Sequence, residues 1–265
     1  MINNVESLNN NIIIGEPILN KSKIVFKGEN NILFFDDGIT LEDTAINFLG
    51  NNSLVVIRQS KHPIKLDLRI YNDSTFYLGK ECSMNKAVFC VASEAKNIII
   101  GDDCLFANLI TIRTGDAHRI YDISTRKRIN EGRSVFLGDH IWLGTGVTIL
   151  KGSKIHSGSI LGANAVLTGK EVKSCCVFAG NPAKEIKSNV VYNRQGSHGL
   201  TPDEIQKISV ISETEIEKFI YKYNEKEYID FNNIDNDISS ISTGEKRLEY
   251  LKERLFKSTK NRFSL

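Results

Sequence analysis

The sequence predicts a mainly β protein: a parallel β-helix of short stacked coils with one protruding loop and a C-terminal α-helical appendage. Three observations carry this. Apolar residues recur every six positions at Ile100, Phe106 and Ile112, and again at Leu137, Leu143, Ile149, Ile155, Leu161 and Leu167. A period of six suits neither an amphipathic helix nor a half-buried strand and marks a repeat architecture. Glycine follows the apolar residue at Gly101, Gly138, Gly144 and Gly162, and small or apolar side chains stand four places on at Cys104, Ile141, Val147, Ser153, Ser159 and Ala165. Two inward positions per hexad fit short strands meeting at tight corners, with each coil buried by its neighbours. Beyond Asn181-Pro182, finally, the composition turns to that of capped helices.

Taken in order, residues 1–77 form an N-terminal β-coil cap. Phe26-Lys27-Gly28-Glu29-Asn30-Asn31-Ile32, Phe48-Leu49-Gly50-Asn51-Asn52-Ser53-Leu54 and Ile70-Tyr71-Asn72-Asp73-Ser74-Thr75-Phe76 repeat at intervals of 22 and 21. Their Gly and Asn residues suit tight corners and the apolar residues after them suit strands. Residues 78–188 hold the hexad ladder, broken by a loop over 118–134, and loops on a rigid scaffold are where chemistry concentrates. Residues 189–265 read as helical. Thr201-Pro202-Asp203-Glu204 is a helix start, Ser212 with Glu215 and Ser242 with Glu245 have capping-box spacing, and 232–242 reads as a linker. The last helix sets Leu248, Leu251 and Leu255 on one face, to pack on the column or to touch a membrane surface or another copy.

Composition narrows the function. A net charge of +2 over 265 residues gives no case for nucleic acid as partner. No apolar run approaches the ~18 residues of a spanning helix, and the Asn-rich start lacks the features of a signal peptide, so a cytoplasmic location is expected. Cys82, Cys90, Cys104, Cys175 and Cys176 form an odd set without metal-type spacing and are expected as reduced thiols. Around His118 stand Arg113, Arg119, Arg126, Lys127, Arg128 and Arg133, with Asp116, Asp122 and Glu131 among them. That cluster is either an anion site or a solvated loop of mixed charge.

His118 falls where the six-residue count calls for an inward apolar side chain, and it opens the loop. An imidazole with an ordinary pKa of ~6.5 accepts a proton at neutral pH, and a positioned base contributes roughly 10²- to 10⁴-fold to a rate. Asp116 or Asp122 is placed to hold its second ring nitrogen. The only tryptophan, Trp142, faces outward by its hexad phase, as do Val166 and Phe178, so these residues need a further surface.

The chain resembles the hexapeptide-repeat, left-handed β-helix acyltransferases, and among them the sugar and capsular-polysaccharide O-acetyltransferases. The resemblance rests on Asp116-Ala117-His118, Ile120-Tyr121-Asp122, Arg128-Ile129-Asn130, the run from Gly138 to Gly144, Ile149-Leu150-Lys151-Gly152, Gly162-Ala163 and the run from Ala179 to Lys184. It implies a left-handed column, acetyl-CoA as co-substrate without a metal, and direct transfer with His118 as general base. It also implies Trp142 at the transfer centre, and a homotrimer with sites between subunits. Backbone N–H groups around Gly144 are expected to stabilise the oxyanion. Ala163 of the Gly-Ala turn, Thr168 and Lys170 are expected along the CoA arm, with Lys184 and Lys187 at its phosphates. Arg113, Tyr121 and Arg128 are expected at a glycan or sugar acceptor, sialylated sugars being suited to the arginines. Two departures stand out: Gly169 separates Thr168 from Lys170, and Gly115 occupies a place where the family commonly shows serine.

Other readings are an N-acetyltransferase of an amino sugar or nucleotide sugar, a non-catalytic glycan-binding solenoid, and a zinc carbonic anhydrase. The last needs three converging histidines, and His118, His140 and His156 lack the close pair of that family. A nucleophilic cysteine has no histidine near it in sequence.

Overall fold

The computed structural model describes residues 4–6 and 9–265. The chain winds as a parallel β-solenoid with three faces, visited in the same order in every coil. The first face has eight strands, from Ile12–Ile14 to Glu171–Val172, and the third has eight, from Asn4–Glu6 to Val166–Thr168. The second face begins with Ile18–Asn20 beside Thr40–Glu42, continues through a bridge from Leu41 to Ile64, and ends in six strands from Ser83–Met84 to Lys184–Lys187. Only that last strand is antiparallel to its neighbour.

Register explains the two repeat lengths. Ile32 pairs with Leu54, Leu54 with Thr75 and Thr75 with Asn97, an advance of 22, 21 and 22 residues per coil. The looser N-terminal repeat therefore continues the same column with wider corners. Asparagines hold those corners: the Asn51 N–H donates to Asn72 Oδ1 at 2.7 Å and the Ser53 N–H to Asn31 Oδ1 at 2.8 Å. Ile98 pairs with Val135, a jump of 37 that contains the loop, after which Phe136 meets Lys154 at an advance of 18.

Every inward position of the ladder is fully buried, in one core that runs the length of the column. Each such side chain contributes roughly 1.5–3 kcal/mol relative to exposure. His118 departs from the expected step, since the chain leaves the column after Thr114 and carries the ring into solvent. Phe178 is corrected too: it is 8% exposed and belongs to the core. The coil from Leu161 to Phe178 is one residue short of three hexads, which turns Phe178 inward. Trp142 and Val166 do stand outward.

Four helices follow: α1 (Pro202–Lys207), α2 (Glu213–Ile216), α3 (Phe231–Ser240) and α4 (Gly244–Leu255). Thr201 and Ser212 cap the first two as the sequence predicts. The expected linker is helical instead, because Asp230 caps α3 and its Phe231, Ile234 and Ile238 form a buried stripe. The cap of α4 is Thr243, one residue past the expected Ser242.

Leu248, Leu251 and Leu255 join that stripe and Phe263 on the outside of the first face, over Ile32, Leu54, Val56, Tyr77, Ile99 and Phe136. Arg247 of α4 is buried as well and donates to the carbonyls of Asp73 and Asn52. The apolar face of α4 is thus used on the column and is not free for a membrane surface. Among the described residues no helix is long and apolar enough to cross a membrane. All five cysteines are free thiols and buried.

Candidate active site

The loop leaves the edge between the third and first faces, after the strand Thr111–Arg113, and returns at Val135–Leu137. It folds back on itself, with Tyr121 bridged to Arg128 and the Ile129 N–H donating to the Ile120 carbonyl at 2.9 Å. Asn130, 6% exposed, ties its base: Oδ1 accepts from the Ile120 N–H, and Nδ2 donates to Asp116 Oδ2 and to the His118 carbonyl, each at 2.8 Å. Lys151 adds bonds to Asp116 Oδ2 at 2.6 Å and to the Asn130 carbonyl at 2.8 Å. Glu94 takes Arg128 at 2.7 Å and the Gly132 N–H at 3.0 Å.

His118 therefore has a fixed backbone and an exposed ring. Asp116 Oδ2 accepts from Asn130 and Lys151, and Asp122 Oδ1 from Ser124 and Thr125, which leaves the second oxygen of each carboxylate outside these bonds. Arg128 acts as an anchor of the loop, with its guanidinium on Glu94 and Asn130. Tyr121 is half exposed beside it, and the Arg113 Nε is buried without a partner among the described residues.

Arg133, one of the cationic residues counted around His118, lies on the same edge against two glycines of later coils. A Cβ on Gly152 or Gly169 would meet its guanidinium at 2.8 Å, which explains the Gly169 that interrupts Thr168 and Lys170. With Lys151 and Lys170 nearby in the coil order, this edge is cationic.

The Lys151 ammonium, outweighing partial burial and joined by the Asn130 amide, holds the Asp116 carboxyl below its usual range. Arg128 does the same for Glu94, with the Gly132 N–H adding to it against a small burial effect. Depressed values mean that both carboxylates stabilise the anchored loop above the ordinary range near ~4 and stop doing so as the pH falls through their folded values. Hydrogen exchange over residues 119–132, corrected for intrinsic rates, should show protection at about pH 6 that declines as the pH falls below the ordinary carboxylate range near ~4. Protection that survives below that range would leave Asn130 as the sole anchor.

Trp142 stands on the second face, paired in the ladder with Leu105 and Ile160, and is 40% exposed. Beside it the edge toward the third face carries small residues at Gly144, Gly146 and Gly162-Ala163, with exposed Leu109 on the preceding coil. A Cβ on Gly144 would lie 2.8 Å from the Ala163 nitrogen, so the backbones of Gly144 and Gly162-Ala163 stack directly. The Gly144 N–H donates to the Leu161 carbonyl at 2.8 Å. It is part of the ladder, as is the Gly146 N–H on the Asn108 carbonyl at 2.9 Å, so of the N–H groups expected around Gly144 these two are engaged. Lys184 and Lys187 are exposed on the strand that closes the second face. Thr168 and Lys170 lie at the other edge, between the third and first faces, and Lys170 Nζ donates to the Ala183 carbonyl at 3.3 Å.

His140 precedes Trp142 and is enclosed, with Nδ1 2.6 Å from Asp103 Oδ2 and Nε2 3.0 Å from the Tyr192 carbonyl. His156 is likewise buried, between the Phe263 carbonyl and Glu171. Neither ring is free for catalysis or for a shared metal.

The predicted residues thus fall into two groups. Trp142, Gly144, Ala163, Lys184 and Lys187 share the second face and its edge with the third. His118, Asp116, Arg113, Tyr121, Arg128, Thr168 and Lys170 gather at the edge between the third and first faces. In a three-faced column that edge lies opposite the second face, so within one chain the two groups stand on opposite sides.

No family model matches the sequence. The polysialic acid O-acetyltransferase of Neisseria meningitidis is 32% identical over 200 residues, which are 75% of this chain and 93% of that protein. The crystal structure of the polySia-specific acetyltransferase NeuO superimposes with a TM-score of 0.66 at 31% identity, covering 78% of this chain and 95% of that one. That of the polysialic acid O-acetyltransferase OatWY gives 0.64 at 29% identity, covering 76% and 96%. A near full-length relative and a shared column of stacked coils together show that this chain belongs to the hexapeptide-repeat, left-handed β-helix family of O-acetyltransferases.

Proposed function

We propose that the protein transfers an acetyl group from acetyl-CoA to a sugar hydroxyl of an acidic cell-surface polysaccharide, a polymer of sialic acid being the acceptor that fits best. The site is shared between neighbouring copies of a homotrimer. The observation that carries this is the placement of His118 and Trp142 on opposite sides of one column, since they meet only when one copy's edge faces another copy's second face. The cationic edge of Arg113, Arg133 and Lys151 suits an acceptor with one carboxylate per sugar. The relatives named above act on such a polymer. Free, buried thiols fit a cytoplasmic location.

The chain's residues fit the donor. The small-residue edge at Gly144 and Gly162-Ala163 accepts a slender pantetheine arm, and exposed Lys184 and Lys187 suit phosphates. Acetyl-CoA supplies the activated acyl carbon. His118 takes the proton from the sugar hydroxyl as that oxygen attacks, and gives it to the departing sulfur. Asn130 and Lys151 hold the loop so that the ring is presented without searching. Trp142 walls the thioester end and excludes water.

Coexpression of His118→Ala and Trp142→Ala chains tests the reading. Each variant alone should be inactive. In mixed trimers about one quarter of the sites unite an intact His118 with an intact Trp142, and activity should return to that level. Light scattering should give three times the chain mass of 29.7 kDa. Mixtures as inactive as their parents would remove the shared site.

A further inference from the structure

The segment that leaves the column turns back across the second face beside Trp142. Tyr192, 6% exposed, stacks on His140 with ring centroids 4.0 Å apart and planes 10° apart, and leans on Trp142 at 5.7 Å and 45°. Its backbone is held as firmly as its ring. The Tyr192 carbonyl meets His140 Nε2, and His140 Nδ1 meets Asp103. Asp103 also takes Arg194, whose guanidinium reaches the Glu81 carbonyl at 3.0 Å and Ser83 Oγ at 2.5 Å. Phe219 and Tyr221 close the box around the imidazole at 5.5 and 5.8 Å. The Tyr192 hydroxyl is buried and has no partner among the described residues, so the ring and not the oxygen makes the contacts.

We propose that Tyr192 is a positioning residue for acetyl transfer: it fixes the angle of the Trp142 indole, and the His140, Asp103 and Arg194 chain fixes Tyr192. The inference rests on the proposed role of Trp142 in the shared site. A half-exposed indole with nothing behind it samples several rotamers, whereas one braced by a buried ring presents a single wall to the reacting groups. The brace comes from residues outside the hexad repeat, which places a determinant of the transfer geometry in the segment after the column.

Because Trp142 is the only tryptophan, its fluorescence reads this wall directly. Tyr192→Ala should shift the emission to the red and increase quenching by acrylamide. It should lower kcat by roughly 10- to 100-fold, the scale of a displacement near 1 Å, with KM for acetyl-CoA within about twofold. Tyr192→Phe should recover at least about half of kcat and the native emission, since only the unpartnered hydroxyl is lost. In the Trp142→Phe background, Tyr192→Ala should cost little more, because it acts through the indole.

Arg194→Met, at a half-buried position, repeats the test without opening the core if Tyr192→Ala does not fold. Native turnover in Tyr192→Ala, or in Arg194→Met where that variant stands in, overturns the proposal. So do losses that add to those of Trp142→Phe, or a Tyr192→Phe enzyme as slow as Tyr192→Ala. Unchanged turnover in Trp142→Phe itself would instead remove the site reading on which the proposal rests.

Discussion

His118→Ala should lower kcat by roughly 10²- to 10⁴-fold, the contribution of one positioned base, while KM for acetyl-CoA stays near its native value. The ring is exposed, so its removal leaves fold and loop anchor in place. What holds the loop is Asn130 on the His118 carbonyl, a contact that alanine keeps. Steady-state release of the CoA thiol, followed at saturating acceptor, gives both constants. His140→Ala differs in that loss of the ring disturbs the fold as well as the brace on Trp142. That ring is 1% exposed with both nitrogens engaged, so its loss opens a polar cavity and lowers the melting temperature. Full turnover in His118→Ala would place the base elsewhere.

The largest loss of stability is expected from Arg262→Ala. The guanidinium is fully buried, with Nε and Nη2 on Asp139 at 2.9 and 2.7 Å, Nη2 on Asp102 at 3.0 Å and Nη1 on the Leu255 carbonyl at 2.8 Å. Burial alone would push its pKa down, and the two carboxylates outweigh this and raise it. Alanine leaves both acids facing an apolar cover with no cation. Breaking a buried pair in this way costs about 3–5 kcal/mol, a fall in Tm of roughly 10 °C for a chain of this size. A second variant, Arg262→Met with Asp139→Asn, removes charge from both sides and should recover part of the loss. A fall under about 2 °C for Arg262→Ala would mean that water already reaches the cluster.

The column was legible because a period of six leaves the chain few alternatives, and apart from His118 the steps from Ile100 to Leu167 are buried where the count places them. The count failed where a coil changed length. One missing residue reversed the side of Phe178: the step after Leu167 falls at Val172, five residues on, where the count points to Lys173. Helix α3 was misread on its Asn, Asp and Ser content, although Phe231, Ile234 and Ile238 already carried a helical stripe; packing on the first face overrode weak propensity. At the site, His118 and Trp142 were legible as residues but their separation was not, because the loop erases the phase between them. The roles of Arg128 and Asp116 as anchors depend on Glu94 and Lys151, partners from other coils that spacing does not reveal.

The cover on the first face also sets an order of events during synthesis. Ribosomes deliver the column first, and its eight-stranded face is complete once Val172 has emerged. Phe231 to Phe263, which shield that face, come later. In the interval Ile32, Leu54, Val56, Tyr77, Ile99 and Phe136 form a continuous apolar strip on a parallel sheet, a surface on which nascent chains of one polysome can associate. Arg247 and Arg262, each docking on backbone or carboxylates of much earlier coils, close that interval by latching the last-made helices onto the first-made strands.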